Sequence, residues 1–334
     1  MKEKSLRILK GGGLGFAAML ALLMATSLSA DTYNLVVHGR SDVDACSRQG
    51  GEIDPHGSVN QSQALADRNA SGSPSHTSGY WSTSSQSDWI GSLGNVRYVG
   101  WSGEVNGGAW SWETCGARKQ FWYALYAFCR NGNVCNIYTH STGSLVVSTF
   151  IAHHADAIAA EGVRINRIQF MSPATGGSEL ANILEAIRAG AYVGSPPSVI
   201  AAMATWGTRG VDPTVTTYGA RADWLQKNQS YGYRYQTTSG TGYTSVGAVT
   251  GPLLPGLDDS VLANHSLCNV NGVTDVKAVC GSGNATFRHR FACGFMWASS
   301  CYYYYGKYTP YYTILQNGSD HNQGVKYWRS YATY

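Results

Sequence analysis

The stretch NIYTHSTGSLVVS, residues 136–148, decides how the rest of the chain is read. An apolar run, VCNIYT (134–139), has the length and the β-branched and aromatic content of a buried strand. A second run, GSLVVSTFIAHHADAIAAEG (143–162), carries apolar residues at helical spacing and closes at Gly162. Ser141 stands at the junction, with His140 before it and Gly143 two residues on. A serine in this place is either an ordinary helix cap or a nucleophile, whose Oγ a sharp strained turn exposes at the end of a sheet. Such a turn needs small residues two positions to either side. Gly143 meets that demand; Thr139 stands on the other side.

Working outward, YNLVV (33–37) reads as a buried strand with His38, Gly39 and Arg40 at its end. NVRYVGW (95–101) is the next strand, and ARKQFWYALYAFCRNG (117–132) a helix that stops at Gly132. INRIQFMS (165–172) is a strand, and SELANILEAIRAG (178–190) a helix with Ser178 as its cap. Strands alternating with helices predict an α/β protein, with a mostly parallel central sheet and helices on both faces. Between 41 and 93 the chain is rich in Gly, Ser, Gln and Asn, as a long surface insertion would be. Beyond Ala191 the pattern blurs. YTSVGAV (243–249) reads as a late strand, and CYYYYGKYTPYY (301–312) as strand in preference to a ligand platform. Residues 191–242 are where a lid would lie.

Residues 1–30 read as a secretory signal peptide: Lys2, Lys4, Arg7 and Lys10, then an uncharged apolar run ending in small residues before Asp31. Its strongly apolar part, roughly fifteen residues, is short of the ~20 that span a bilayer. The expected mature chain, 31–334, is one catalytic α/β domain that is secreted or periplasmic, monomeric and without a membrane anchor. All 8 cysteines follow the leader, as expected of a disulfide-stapled exported protein. Cys129 with Cys135, Cys268 with Cys280, and Cys293 with Cys301 would close short loops, but the connectivity stays open. Charged residues make up only 13%, and the net charge of +4 nearly vanishes with the leader. Arg288-His289-Arg290 is the one dense basic spot after it, which argues against a nucleic-acid partner. No dinucleotide fingerprint, P-loop or CxxC occurs, so no cofactor or metal is expected. His153, His154 and Asp156 read as a solvated helix face.

NIYTHSTGSLVV resembles the H-S-x-G-G/S elbow of the α/β-hydrolase superfamily, above all secreted bacterial lipases and esterases. LVVHGR resembles the strand ending in His-Gly that supplies half of their oxyanion hole. INRIQFMSPATGGSELA resembles their TPHRGS-x-x-A segment, with Ala174 and Thr175 where the family has His and Arg. Thr139 departs from the family's Gly. The resemblance covers roughly residues 33–185, and the last third only in scattered positions.

It implies an α/β-hydrolase fold with Ser141 as nucleophile and the backbone N–H groups of Thr142 and Arg40 as oxyanion donors. The superfamily's order is Ser, then Asp or Glu, then His. GLDDSVLANHS resembles the family's N-D-G-x-V stretch, which makes Asp259 the acid; Asp258 and, more remotely, Asp223 are alternatives. The base must follow, leaving His265, His289 and His321. His265 is too close in sequence to swing onto Asp259. His289 lies between two arginines that oppose an imidazolium. His321, in NGSDHNQGVKYW, lies near the C-terminus where the family's histidine sits, and is the expected base. His140 is expected to be a spacer or packing residue. Some related lipases hold a structural calcium near the acid, for which Asp258 or Asp320 could serve. The expected function is an exported serine hydrolase of carboxylic esters: lipids and short-chain esters first, polyesters second. The alternatives are a non-catalytic glycan- or polymer-binding protein on the same fold, and an acyltransferase.

Overall fold

YNLVV forms the centre of β1 (Thr32–Val37), buried from its second residue onward. Tyr33, Leu35 and Val37 join one apolar cluster and Val36 another, so the strand is covered on both faces. Only a central strand of a layered sheet is buried in this way. The structure is a computed structural model and describes residues 30–40, 80–81, 89–113, 115–190, 209–224, 235–240, 253–254, 258–263, 266, 287–293, 299–305, 312–316 and 320–321. For 221–224, 235–240 and the three strands beyond residue 286 it describes the backbone path.

The sheet is built from β1 with β2 (Val96–Val99), β3 (Val134–His140), β4 (Ile165–Met171), β5 (Tyr235–Gly240) and β8 (Tyr312–Gln316). Its order is β2-β1-β3-β4-β5-β8, and every neighbouring pair is parallel. The strands β6 (Phe287–Cys293) and β7 (Ser299–Tyr305) form a separate antiparallel pair. Helices α1 (Ala117–Phe128) and α2 (Thr142–Ala160) cover one face together with the short turn Gly108–Trp110. On the other face Trp81, Trp89 and Ile90 pack on Val36, Tyr98, Tyr138 and Met171. Helix α3 (Glu179–Arg188) follows β4, capped as expected by Ser178, whose side chain accepts from Leu180 N at 3.2 Å. The short α4 (Asp212–Val215) and α5 (Thr217–Trp224) come next. Among the described residues no helix is long and apolar enough to cross a membrane.

Three differences from the sequence reading have physical causes. Helix α1 ends at Phe128, not Gly132, because Cys129 is bonded to Cys135 and the chain turns through Asn131 (φ 54°) and Gly132 (φ 90°). Strand β5, YQTTSG, carries almost no apolar signal, so periodicity passed over it. His154 is buried against Trp112 and Phe150 instead of lying on a solvated face, because α2 is apolar nearly all round. Asn34, Asn136 and Asn166 form a satisfied amide ladder across β1, β3 and β4, with bonds of 3.0 and 2.9 Å.

The leader, most of the insertion 41–93, residues 191–208 of the lid region and the strand expected at 243–249 lie outside the described residues. Within 209–240 the described parts are α4, α5 and β5. Of the cysteine pairs expected, Cys129–Cys135 is bonded and closes the loop between α1 and β3. Cys115 is also disulfide-bonded, and no described cysteine is free. The pairing of Cys268, Cys280, Cys293 and Cys301 lies outside the described side chains.

Candidate active site

Strand β3 runs into α2 through Ser141, whose φ of 52° and ψ of −126° leave the regions an L-residue prefers. Such a conformation costs on the order of 1–3 kcal/mol and persists only where the surroundings enforce it. Here they do. Ser141 N donates to Met171 O at 3.1 Å, and Ser141 O accepts from Ser144 N at 3.0 Å and Ala174 N at 3.2 Å. The Ser141 side chain makes no capping bond to α2, in contrast to Ser178 on α3. It lines a cavity of about 410 Å³.

The two glycines around the elbow are required by space. A Cβ on Gly143 would lie 2.5 Å from His38 O, because the first turn of α2 rests on the end of β1. A Cβ on Gly39 would lie 2.7 Å from Ser141 Cβ and 2.9 Å from His140 O. Thr139, where a third small residue was expected, is fully buried and shares a 2.5 Å hydrogen bond with Ser144 Oγ. Its hydroxyl thereby links the end of β3 to the first turn of α2 across the elbow.

The expected oxyanion donors flank this point. Thr142 is the first residue of α2, where backbone N–H groups have no acceptor within the helix and the helix dipole is positive. Arg40 lies at the end of β1, and its guanidinium grips buried Asp212 through Nε–Oδ1 at 2.6 Å and Nη2–Oδ2 at 3.1 Å. Asp212 Oδ2 also accepts from Arg209 N at 2.7 Å. His38 anchors the same segment: Nδ1 donates to Gly39 O at 2.7 Å, and Nε2 accepts from Trp101 N at 3.0 Å. Its ring stacks on Trp101 with centroids 4.9 Å apart. Burial lowers the His38 pKa to about 4, so the ring is neutral.

Asp259 lies in a tight turn. Its Oδ1 accepts from Val261 N at 3.1 Å and Leu262 N at 2.8 Å, and its Oδ2 meets His321 Nδ1 at 2.8 Å. A second bond, His321 N to Asp259 O at 2.8 Å, joins the two loops through their backbones. One carboxylate oxygen shapes the turn while the other orients the imidazole. With the proton held on Nδ1, Nε2 is the ring's acceptor. Asp258 Oδ1 instead accepts from Ser260 N at 2.9 Å. His321 lines the same cavity as Ser141, along with Leu180, Leu184, Val215 and Leu262.

Of the other residues weighed, Asp223 falls on α5 and His289 on β6, and His265 lies outside the described residues. Asp320 is buried beside His321. Among the described residues no group of three or more His, Cys, Asp or Glu is placed to hold a metal. Sequence reasoning missed Asp212, Tyr80 and the contact between His140 and His321. Asp-Pro at 212–213, a helix-start signal, could have located α4, but not its partner 172 residues earlier.

A parallel sheet of this order, with a serine elbow between its third strand and the following helix, is the α/β-hydrolase fold. Among solved structures, the chain is similar to the mature form of the Bacillus licheniformis lipase BlEst2, at 12% identity, covering 92% of this chain and 93% of that one with a TM-score of 0.49. It is similar to Staphylococcus hyicus lipase at 10% identity, covering 89% of each chain with a TM-score of 0.42. EstA from Clostridium botulinum is similar at 10% identity over 91% of this chain and 85% of that one, with a TM-score of 0.42. No protein-family model and no curated protein matches.

Proposed function

We propose that the chain is an exported serine hydrolase that cleaves carboxylic esters through an acyl-enzyme on Ser141. The observation that carries this reading is the junction itself. A serine is held in a strained elbow without capping its helix, and faces the same cavity as a histidine oriented by a buried aspartate. His321 Nε2 takes the Ser141 proton as Oγ attacks the ester carbonyl. The oxyanion is stabilised by the N–H groups of Thr142 and Arg40. His321 then passes the proton to the departing alkoxide, giving an alcohol and the acyl-enzyme. Water, deprotonated by the same nitrogen, releases the carboxylic acid. The apolar wall of Leu180, Leu184, Val215 and Leu262 supports an acyl chain, as in lipids and short-chain esters, with polyesters second. The disulfide supports export.

The test is labelling with a fluorophosphonate, peptide mapping of the adduct, and hydrolysis of p-nitrophenyl esters of graded chain length. Ser141 should carry the label, and Ser141→Ala should lose on the order of 10⁴-fold or more in kcat with its fold intact. A Ser141→Ala variant with most of its activity sinks the assignment. An unlabelled, inactive wild type points to the binding protein. Faster turnover with an added alcohol acceptor than with water points to the acyltransferase.

A further inference from the structure

Tyr80 and His140 line the cavity and have no part in the chemistry above. The His140 ring is buried beside that of His321, with centroids 4.7 Å apart. His140 Nε2 lies 3.0 Å from the backbone oxygen of His321. A carbonyl can only accept, so the hydrogen of His140 is on Nε2, and Nδ1 must itself accept. The hydroxyl of Tyr80 donates there. That hydroxyl also lies against Gly39, where a Cβ would come within 2.3 Å of it. Tyr80 is held in turn by an edge-on contact with Trp81, at 5.2 Å between centroids.

We infer that His140 is a positioning residue for His321, and that Tyr80 fixes the tautomer in which His140 can do this. The inference rests on reading His321 as the base. The two bonds from Asp259 tie His321 to one turn, which is itself held by Ser178 Oγ donating to Val261 O at 3.0 Å and by Leu262 in the core, and neither bond runs to the strand that carries Ser141. The bond from His140 comes from elsewhere, from the last residue of β3, adjacent to Ser141. It therefore references the base to the strand that carries the nucleophile. Burial, and then the neighbouring His321, hold the His140 pKa well below its ordinary value. The ring accordingly stays neutral when an imidazolium forms beside it.

The experiment compares His140→Phe, His140→Gln and Tyr80→Phe by p-nitrophenyl ester kinetics and fluorophosphonate labelling. Long-range ¹H–¹⁵N NMR of the wild-type histidine rings is recorded alongside. Displacing the base should cost His140→Phe on the order of 10²-fold in kcat, with KM little changed. The amide Nε2–H of His140→Gln reaches the same carbonyl and should restore most of the loss, which a purely structural role would not produce. Tyr80→Phe should fall between them, with His140 becoming a mixture of tautomers. A wild-type kcat in His140→Phe, equal losses in the Phe and Gln variants, or an Nδ1–H tautomer at wild-type His140 overturns the inference. If His140→Phe fails to fold, the wild-type tautomer and the Tyr80→Phe kinetics still decide it. Absence of label on wild-type Ser141 instead overturns the hydrolase reading, and the inference with it.

Discussion

Replacing Asp259 by asparagine changes one atom and should nearly abolish turnover. The side chain is fully buried and both of its oxygens are committed: Oδ1 to Val261 N and Leu262 N, Oδ2 to His321 Nδ1. In the amide, the oxygen must stay with the two backbone N–H groups. Turning it the other way would set an NH₂ against two donors, losing two hydrogen bonds worth about 1 kcal/mol each and burying the clash. The NH₂ therefore faces His321, whose Nδ1 must become the acceptor, and the ring proton moves to Nε2. That nitrogen then has no lone pair for the Ser141 proton. Where this tautomer error has been isolated it costs about 10⁴-fold in kcat, or roughly 5.5 kcal/mol at 1.36 kcal/mol per decade. Asp258→Asn is the control, because an amide oxygen can still accept from Ser260 N. Steady-state hydrolysis of p-nitrophenyl butyrate, with far-UV circular dichroism to confirm folding, measures both. An Asp259→Asn enzyme keeping more than a tenth of wild-type kcat refutes the reasoning. Equal losses in the two variants move the acid or dissolve the distinction between them.

Three other outcomes follow from the same geometry. Gly39→Ala has no space for its methyl against Ser141 and His140, so we expect a loss of about 1–3 kcal/mol in urea unfolding and of about 10²-fold or more in kcat as the Arg40 N–H is pushed off line; wild-type kinetics would remove Gly39 from the oxyanion segment. His38 is neutral in the fold with a pKa of about 4, against 6.5 when released, so the unfolded chain binds the extra proton between those values. The stability it contributes is complete above about pH 6.5 and is lost as pH falls towards 4, up to about 3 kcal/mol; the urea midpoint should drop from pH 7 to pH 4.5, and less steeply in His38→Gln, an equal slope counting against it. The Cys129–Cys135 bridge closes a separation of 6 residues, and neither cysteine lines the cavity, so the double serine variant should lose about 2 kcal/mol with kcat within about twofold, and a large kcat change would tie the bridge to the site.

The elements legible in the sequence were those whose local pattern and final environment agree. β1, β3 and β4 carry apolar runs buried on both faces, and α2 an apolar surface nearly all round, so burial wrote them plainly. β5 was illegible for the opposite reason: YQTTSG pairs through its backbone with β4 and β8, and that pairing leaves no mark on side-chain type. Order along the chain and a family resemblance were enough to nominate Asp259 and His321, because the motifs around them are local. The Arg40–Asp212 pair and the Tyr80–His140–His321 contacts join residues from 60 to 181 positions apart, and no local pattern encodes them.

The cap-or-nucleophile question at Ser141 marks the boundary between these two kinds of information. Ser141 and Ser178 look alike in sequence, each following a strand and preceding an apolar helix. Ser178 adopts an extended backbone, φ −134° and ψ 133°, and its side chain turns back onto Leu180 N. Ser141 is prevented from doing so. Met171 and Ala174 hold its backbone, and Gly39 and Gly143 let β1 close over it from both sides. The strain is imposed by β1 and β4, which lie on either side of β3 in the sheet. Local sequence therefore supplies a serine and the room for a sharp turn. The neighbouring strands decide that its hydroxyl faces the cavity and leaves the helix end uncapped.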